Sequence, residues 1–369
     1  MAITAEKTRI NLKYLSDPDG LHEAALTADY DPGLLSQDSE VYSPSLARIA
    51  AALSFAAAKG DVLCSNLAAL GYGEIGMADF ENRRPDRIGL CIARMRTGSH
   101  ERVAVILRGT RGEEWYSNFE LGYAAEHKGF MKAADFAEER LGEFLLTRGV
   151  DVPELFITGY SRGGAVANLL AKRMCDRYGI DAVRCYTFAA PNTAVTFRAT
   201  RYGSIFNLVR DEDFFARVPL TGWGYTKYGH ILFMGGDVSE RWQQITGEEY
   251  IGLKDSAAAD DALAAALRLA PSVHAYYERR YPIGNRRLSL FGFMHFVADM
   301  LAGHMDEHFV EMMADAADTE FAALADFLSR GADIASLFLT DTGAPRCSLS
   351  DSHSPAAYMA AMEASASLW

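Results

Sequence analysis

The sequence is short of cysteine and has no spacing that would put it to use. Its five cysteines are Cys64, Cys91, Cys175, Cys185 and Cys347; the count is odd and none form a CxxC pair. No disulfide framework is implied, and the expectation is reduced core thiols. Long apolar runs are also missing. The opening stretch, "MAITAEKTRINLKYLSDPDG", has no apolar h-region, so it does not read as a secretory signal. Nowhere does an uninterrupted apolar run approach the roughly 18 residues of a membrane span. A cytoplasmic location is therefore expected, with no stable membrane span. Positive charge is in deficit as well: 36 Lys and Arg stand against 49 Asp and Glu, a formal net charge of −13. Such a balance argues against nucleic acid as a partner, and mildly against anionic membrane surfaces.

What remains is ordinary globular material. Of 369 residues, 49% are hydrophobic and 23% charged, enough for a large core. That length suits one large domain with insertions, or two domains. Residues 1–43 are polar, rich in Asp, Ser and Pro, and read as an irregular N-terminal arm. "SLARIAAALSFAAA" reads as a helix with Leu46, Ile49, Leu53 and Phe55 inside. "RIGLCIARMR" and "RVAVILRGT" read as two strands. In the segment "GFMKAADFAEERLGEFLLTRG", Ala133, Phe136, Ala137, Leu141, Phe144 and Leu145 fall on one helical face, and Gly149 suits its C-terminal cap. The strand "ELFITG", the helix "GGAVANLLAKRMCDRYG", and the strands "VRCYTFAAP" and "SIFNLVRDED" follow. Strands alternating with helices predict an α/β fold with a mostly parallel sheet covered on both faces. In such sheets functional groups lie just past the strand C-termini. From 236 to 345 the pattern turns helical, which predicts a helical insertion in a core made of 44–235 and 346–369.

One segment carries chemistry. In "FITGYSRGGAVANLLAKR", Ser161 stands between Gly159 and Gly163. Composition alone produces a G-x-S-x-G in roughly one chain in ten of this length, so the bare match says little. Its context says more: an apolar strand ends at Gly159 and a small-residue helix begins after Ser161. That is the strand, sharp turn and helix of a nucleophile elbow, with Gly159 and Gly163 where side chains would collide. No GxxxxGK[ST] or GxGxxG accompanies the segment to suggest phosphate binding. The backbone N–H of Arg162, the residue after the nucleophile, would be one oxyanion donor.

A serine nucleophile needs a base, and the base an orienting acid. Nine histidines compete. His304 and His308 stand at i, i+4, but "HMDEH" has Met305 where HExxH needs glutamate, so no metal site is read there and no cofactor is expected. Ser354 and Pro355 form an N-cap and N1 pair opening the last helix. His353 thus lies on the loop before that helix, where a helix N-terminus modestly disfavours imidazolium, and it is the expected base.

Several segments together resemble the class 3 lipases, the fungal-type and diacylglycerol-lipase-like branch of the α/β-hydrolase fold. "LRGT" with Trp115 and Asn118 resembles the family's "RGT…dW…n". "HKGF" resembles "HxGF", "TFAAPNTA" resembles "tFGsPrvG", and "DEDFFARVP" resembles "nDxVPRxP". "SDSHSPAAYMAAM" resembles the segment carrying the family's histidine. The resemblance spans about 44–235 and 345–365. It departs where Tyr160 and Arg162 replace the common His and Leu, and where Ala216 replaces a proline. The resemblance implies the order Ser, acid, His. Asp211, Glu212 and Asp213 all follow the strand "SIFNLV"; the family's register to Arg217 and Pro219 favours Asp213. It also implies Thr110 as the second oxyanion residue, with Arg108 and Trp115 as supports or substrate contacts. The implied activity is hydrolysis of carboxylic esters of acylglycerols or related lipids. Phospholipase or thioesterase action would use the same residues, and a non-catalytic lipid-binding protein could share the fold. The helical insertion is expected to act as a cap or lid over Ser161.

Overall fold

Alternation of side chains along each strand divides the core into two layers. The computed structural model describes residues 8–17, 22–81, 84, 86–97, 100–111, 118, 125–213, 215–219, 221, 224–252 and 349–364. Its strands are β1 (Thr8–Leu15), β2 (Glu23–Tyr30), β3 (Glu74–Ala78), β4 (Leu90–Thr97), β5 (His100–Leu107), β6 (Glu154–Tyr160), β7 (Val183–Phe188), β8 (Ala194–Val195), β9 (Ile205–Arg210), β10 (Tyr225–Thr226) and β11 (His230–Met234). The helices are α1 (Pro44–Ala56), α2 (Gly60–Ala69), α3 (Lys128–Thr147), α4 (Arg162–Tyr178), α5 (Ser239–Thr246), α6 (Leu349–His353) and α7 (Pro355–Ala364).

The main sheet has seven strands in the order β11-β9-β7-β6-β5-β4-β3. From β5 through β6, β7 and β9 to β11 every pairing is parallel, while β3, β4 and β5 form an antiparallel edge. Val103, Val105, Leu107, Leu155, Ile157, Val183 and Ile205 point to one face and pack with the apolar sides of α3 and α4. Their neighbours Ala104, Ile106, Phe156, Tyr186, Phe188 and Phe206 point to the other face, against α1, α2 and α7. Successive residues of a strand face opposite ways, so strands buried on both sides read as continuous apolar runs. The expected mixed α/β architecture, with a mostly parallel sheet flanked by helices, is what the chain adopts.

Local chemistry sets several element ends. Ser43 caps α1 by accepting the Leu46 N–H at 3.4 Å, with Pro44 as the first helical residue. After α3, Gly149 takes φ +62°, the left-handed conformation that ends helices.

The described residues of the N-terminal arm from Thr8 to Tyr30 are not irregular. β1 and β2 pair along their whole length as an antiparallel hairpin, and Leu12, Tyr14, Leu15 and Leu26 are buried. Asn66 ties the hairpin to α2, accepting the Lys13 N–H at 3.0 Å and donating to the Lys13 carbonyl at 2.6 Å. The polar composition of 1–43 concealed a period-two pattern: Ile10, Leu12 and Tyr14 alternate with Asn11 and Lys13, and only the inward set is apolar. Cys64, Cys91, Cys175 and Cys185 are free thiols; Cys347 lies outside the described residues. So does most of the helical segment, of which 236–252 with α5 is described, and with it the expectation of a cap. Among the described residues no helix is long and apolar enough to cross a membrane.

Candidate active site

Ser161 sits at the junction of β6 and α4 with φ +55° and ψ −124°. A residue other than glycine held at positive φ costs on the order of 1–3 kcal/mol and persists only where its surroundings enforce it. Two hydrogen bonds do so here. The Ser161 N–H donates to the Phe188 carbonyl at 2.9 Å, and its own carbonyl accepts the Ala165 N–H at 3.0 Å. The flanking glycines permit the approach. A Cβ on Gly159 would lie 2.3 Å from the Gly163 carbonyl oxygen, and one on Gly163 would lie 2.3 Å from that of Leu107. The turn is thus wedged between helix and sheet, with the Ser161 side chain at the C-terminal edge of the parallel strands.

His353 meets it there from 192 residues further along the chain, its Nε2 2.9 Å from Ser161 Oγ. On its other side, Nδ1 lies 2.8 Å from Asp213 Oδ2 and 3.0 Å from Oδ1. A carboxylate can only accept, so Nδ1 carries the proton and Nε2 is the acceptor facing the serine. The imidazole is flanked by Phe215 at 4.7 Å and Tyr160 at 5.3 Å between ring centroids. The Tyr160 hydroxyl donates to the His353 carbonyl at 2.6 Å. His353 itself closes the short helix α6 rather than lying on a loop. The expected cap does follow it: Ser354 Oγ accepts the Ala357 N–H at 3.2 Å at the start of α7.

Asp213 is fully buried and satisfied from four sides. Besides His353, Oδ1 accepts the N–H groups of Phe215 at 3.0 Å and Ala216 at 3.3 Å, and Oδ2 accepts the Tyr358 hydroxyl at 2.6 Å. That hydroxyl in turn accepts the Arg210 N–H at 3.2 Å. Burial, and then the neighbouring Asp213 charge, push both Tyr160 and Tyr358 well above the usual phenol range, so both stay protonated donors. One of the two rival carboxylates is engaged elsewhere. Glu212 pairs with the buried Arg210 at 3.2 Å. Burial raises its affinity for a proton, against the pull of Arg210. Asp211 offers its carbonyl to the Arg217 guanidinium.

The expected oxyanion residues are joined through one amide. Arg162 is fully buried; its Nε donates to Asn118 Oδ1 at 3.1 Å, and Asn118 Nδ2 donates to Thr110 Oγ1 at 3.1 Å. Because Arg162 is donor-only, the Asn118 oxygen must face it, which leaves the NH₂ group toward Thr110. The Thr110 oxygen then accepts, and its own hydrogen is left to point elsewhere. Arg108 is buried and donates to the Gly109 carbonyl at 2.8 Å, bracing this loop; Trp115 lies outside the described residues.

Other histidines serve other ends. His127 caps α3 and lies 3.0 Å from the Asn118 carbonyl through Nε2. His100 pairs with Glu154 at 2.5 Å, and His230 stacks on Phe206. His304 and His308 lie outside the described residues, and among those described no three His, Cys, Asp or Glu side chains are grouped to hold a metal.

Sequence patterns do not reveal Tyr358, Lys227 or Asn192. Asn192 and Tyr358 lie inside the segments "TFAAPNTA" and "SDSHSPAAYMAAM", but those segments give them no role, and all three reach Asp213 and its loop only through the fold. Asn118 was legible as part of the "RGT…dW…n" resemblance, but its bridge from Thr110 to Arg162 was not.

Thr110, Ser161 and Asp213 all fall in the stretch from 97 to 223, which matches the class 3 lipases. That match covers about a third of the chain. The class 3 lipase match is narrower than the 44–235 suggested by the motifs, and it stops before His353. No curated protein matches the chain. Several solved structures resemble it in part. The Rhizomucor miehei lipase propeptide complex is 18% identical, with 53% of this chain and 70% of that one covered, at a TM-score of 0.43. A lipase from Rhizopus microsporus var. chinensis is 15% identical, covering 63% and 84%, at 0.39. A mutant form of MDLA from Penicillium cyclopium is 20% identical, covering 57% and 83%, at 0.39.

Proposed function

We propose that this chain is a serine hydrolase that cleaves carboxylic esters, with acylglycerols or related lipids as its substrate class. One observation carries the reading: His353 faces Ser161 Oγ with Nε2 at 2.9 Å while its Nδ1 rests on Asp213 at 2.8 Å. A serine hydroxyl is a poor nucleophile until a base takes its proton in the transition state. In the proposed reaction Ser161 Oγ bonds to the ester carbonyl carbon as His353 Nε2 accepts the hydroxyl proton. Asp213 remains a carboxylate, holds the productive tautomer and stabilises the imidazolium. Negative charge gathers on the former carbonyl oxygen, where the Arg162 N–H and the Thr110 hydroxyl would meet it. The bond to the leaving oxygen breaks as His353 returns the proton, and an alcohol departs. Water, deprotonated by His353, then releases the acyl group from Ser161.

The lipid class rests on the family match alone. The acidic net charge of −13 favours uncharged esters over strongly anionic headgroups. A fluorophosphonate probe should label the wild-type chain and leave Ser161→Ala unlabelled. Alongside it, a panel of p-nitrophenyl esters of graded length, acylglycerols and phospholipids would define the substrate. Ser161→Ala should lose a factor on the order of 10⁴ or more in kcat. Labelling that persists in Ser161→Ala, or ester turnover that survives it, would sink the proposal.

A further inference from the structure

The mechanism above makes no use of Lys227, although the residue is 2% exposed and its ammonium lies against the Asp213 loop. Lys227 follows β10, which pairs with β8. Its Nζ donates to Asn192 Oδ1 at 2.7 Å and to the Ala216 carbonyl at 2.8 Å. Asn192 is buried too, and its donors all go to the same loop: Nδ2 to the carbonyls of Arg217 at 3.2 Å and Pro219 at 2.8 Å, and its N–H to Val218 at 2.9 Å. Four successive carbonyls, from Ala216 to Pro219, are thus held by Lys227 and Asn192. On the far side of that loop the N–H groups of Phe215 and Ala216 hold Asp213 Oδ1. Residue 216 is therefore gripped at both ends, its carbonyl by the lysine and its N–H by the carboxylate.

A buried ammonium is costly, and a neutral side chain could fill the space with less penalty. Among the described residues no carboxylate lies in ion-pair contact with Lys227, and Asp213 is the charged group that acts on it. We infer that Lys227 is a positioning residue for Asp213: it braces the 213–219 loop and supplies the buried positive charge that balances the carboxylate. This rests on Asp213 acting in the reaction proposed above.

The surroundings give the inference a sign. From the segment before β8 come Asn192 and Thr193, both neutral. From the loop come Asp213 and Arg217, the latter turned to the Asp211 carbonyl. Beyond Asp213, from α6 and α7, come His353 and Tyr358 on the same carboxylate. Burial lowers the proton affinity of Lys227 and the Asp213 charge raises it; burial wins, and the group titrates at about 7. Without the lysine charge, more of the balance of Asp213 falls to a proton on His353. The imidazolium gains stability, and less neutral base is present at a given pH.

The test is the pH profile of kcat/KM for a short-chain ester with wild type and Lys227→Met, together with an NMR titration of the ¹⁵N-lysine-labelled chain. Removing the lysine should move the acid limb upward by about 0.5–1 pH unit, with KM within about twofold. A purely structural role would lower kcat at every pH and leave the limb in place. In the NMR titration one lysine should titrate near neutrality, and Asp213→Asn should move its midpoint lower still by removing the attracting charge. If Lys227→Met does not fold, that titration decides alone. A Lys227 midpoint unmoved by Asp213→Asn overturns the inference. An unshifted acid limb in a folded Lys227→Met does the same. Full activity in Asp213→Asn would instead overturn the catalytic reading of Asp213, so the two failures are distinguishable.

Discussion

Replacing Tyr358 by Phe removes one oxygen atom from a fully buried site and leaves the ring in place. No cavity of consequence forms, so the change isolates the hydroxyl. That hydroxyl donates to Asp213 Oδ2 at 2.6 Å, a short bond to a charged acceptor. Such bonds contribute about 1.5–3 kcal/mol net. Asp213 keeps its other donors, from His353, Phe215 and Ala216, so the carboxylate is loosened and not lost. If the hydroxyl fixes the carboxylate against His353, most of that energy is expressed in the transition state. At about 1.4 kcal/mol per factor of ten, kcat should fall roughly 10- to 100-fold, with KM little changed. The assay is steady-state hydrolysis of a soluble p-nitrophenyl ester, paired with urea unfolding of the same variant. Stability should fall by a similar amount, about 1.5–3 kcal/mol. A variant with reduced stability but kcat within twofold of wild type would refute the reasoning and make Tyr358 a structural residue only. A raised KM at constant kcat would refute it as well.

Gly163→Ala should yield little soluble protein, or folded protein with activity lost, because its Cβ would sit 2.3 Å from the Leu107 carbonyl oxygen and neither backbone can yield; soluble expression and circular dichroism check this. Thr110→Val removes the hydroxyl to which Asn118 donates but keeps the backbone N–H. It should lower kcat more than it raises KM, by less than Ser161→Ala does, and an unchanged kcat would remove the hydroxyl from the mechanism. Stability should also depend on pH through Lys227, which titrates at about 7 when folded against an ordinary 10.5. Between those values the unfolded chain holds a proton that the folded chain has released. The Lys227 contribution to stability therefore rises with pH from about 7 toward 10.5 and is flat below it. Urea unfolding of wild type and Lys227→Met across that window should show the rise in wild type alone.

Much of the architecture is written in short-range pattern. Apolar runs of strand length alternating with amphipathic helices specify the parallel sheet, because each pattern spans only the few residues that set one element's faces. Ser43–Pro44 and Ser354–Pro355 mark helix starts through bonds made within three residues. The G-x-S-x-G between a strand and a helix encodes the strained turn at Ser161, since glycine is needed where backbones touch. The hairpin of β1 and β2 was as local as these, but its period-two signal was hidden beneath polar composition.

The rest needed the fold. Three acidic residues stand in a row at 211–213; the family's register favoured Asp213, but no pattern within this chain measures which one turns toward an imidazole 140 residues later. The sheet decides it, by setting β9 next to β7, which lies next to β6, and bringing α6 and α7 across their ends. The same holds for Tyr358 on Asp213, for Asn118 between Thr110 and Arg162, and for Lys227 behind the loop. Sequence pattern records which face of an element is apolar and where an element starts and stops. Polar contacts between elements carry no such period. They depend on distances that exist only once the strands are ordered and the helices laid on them, and that is where the chemistry of this site is set.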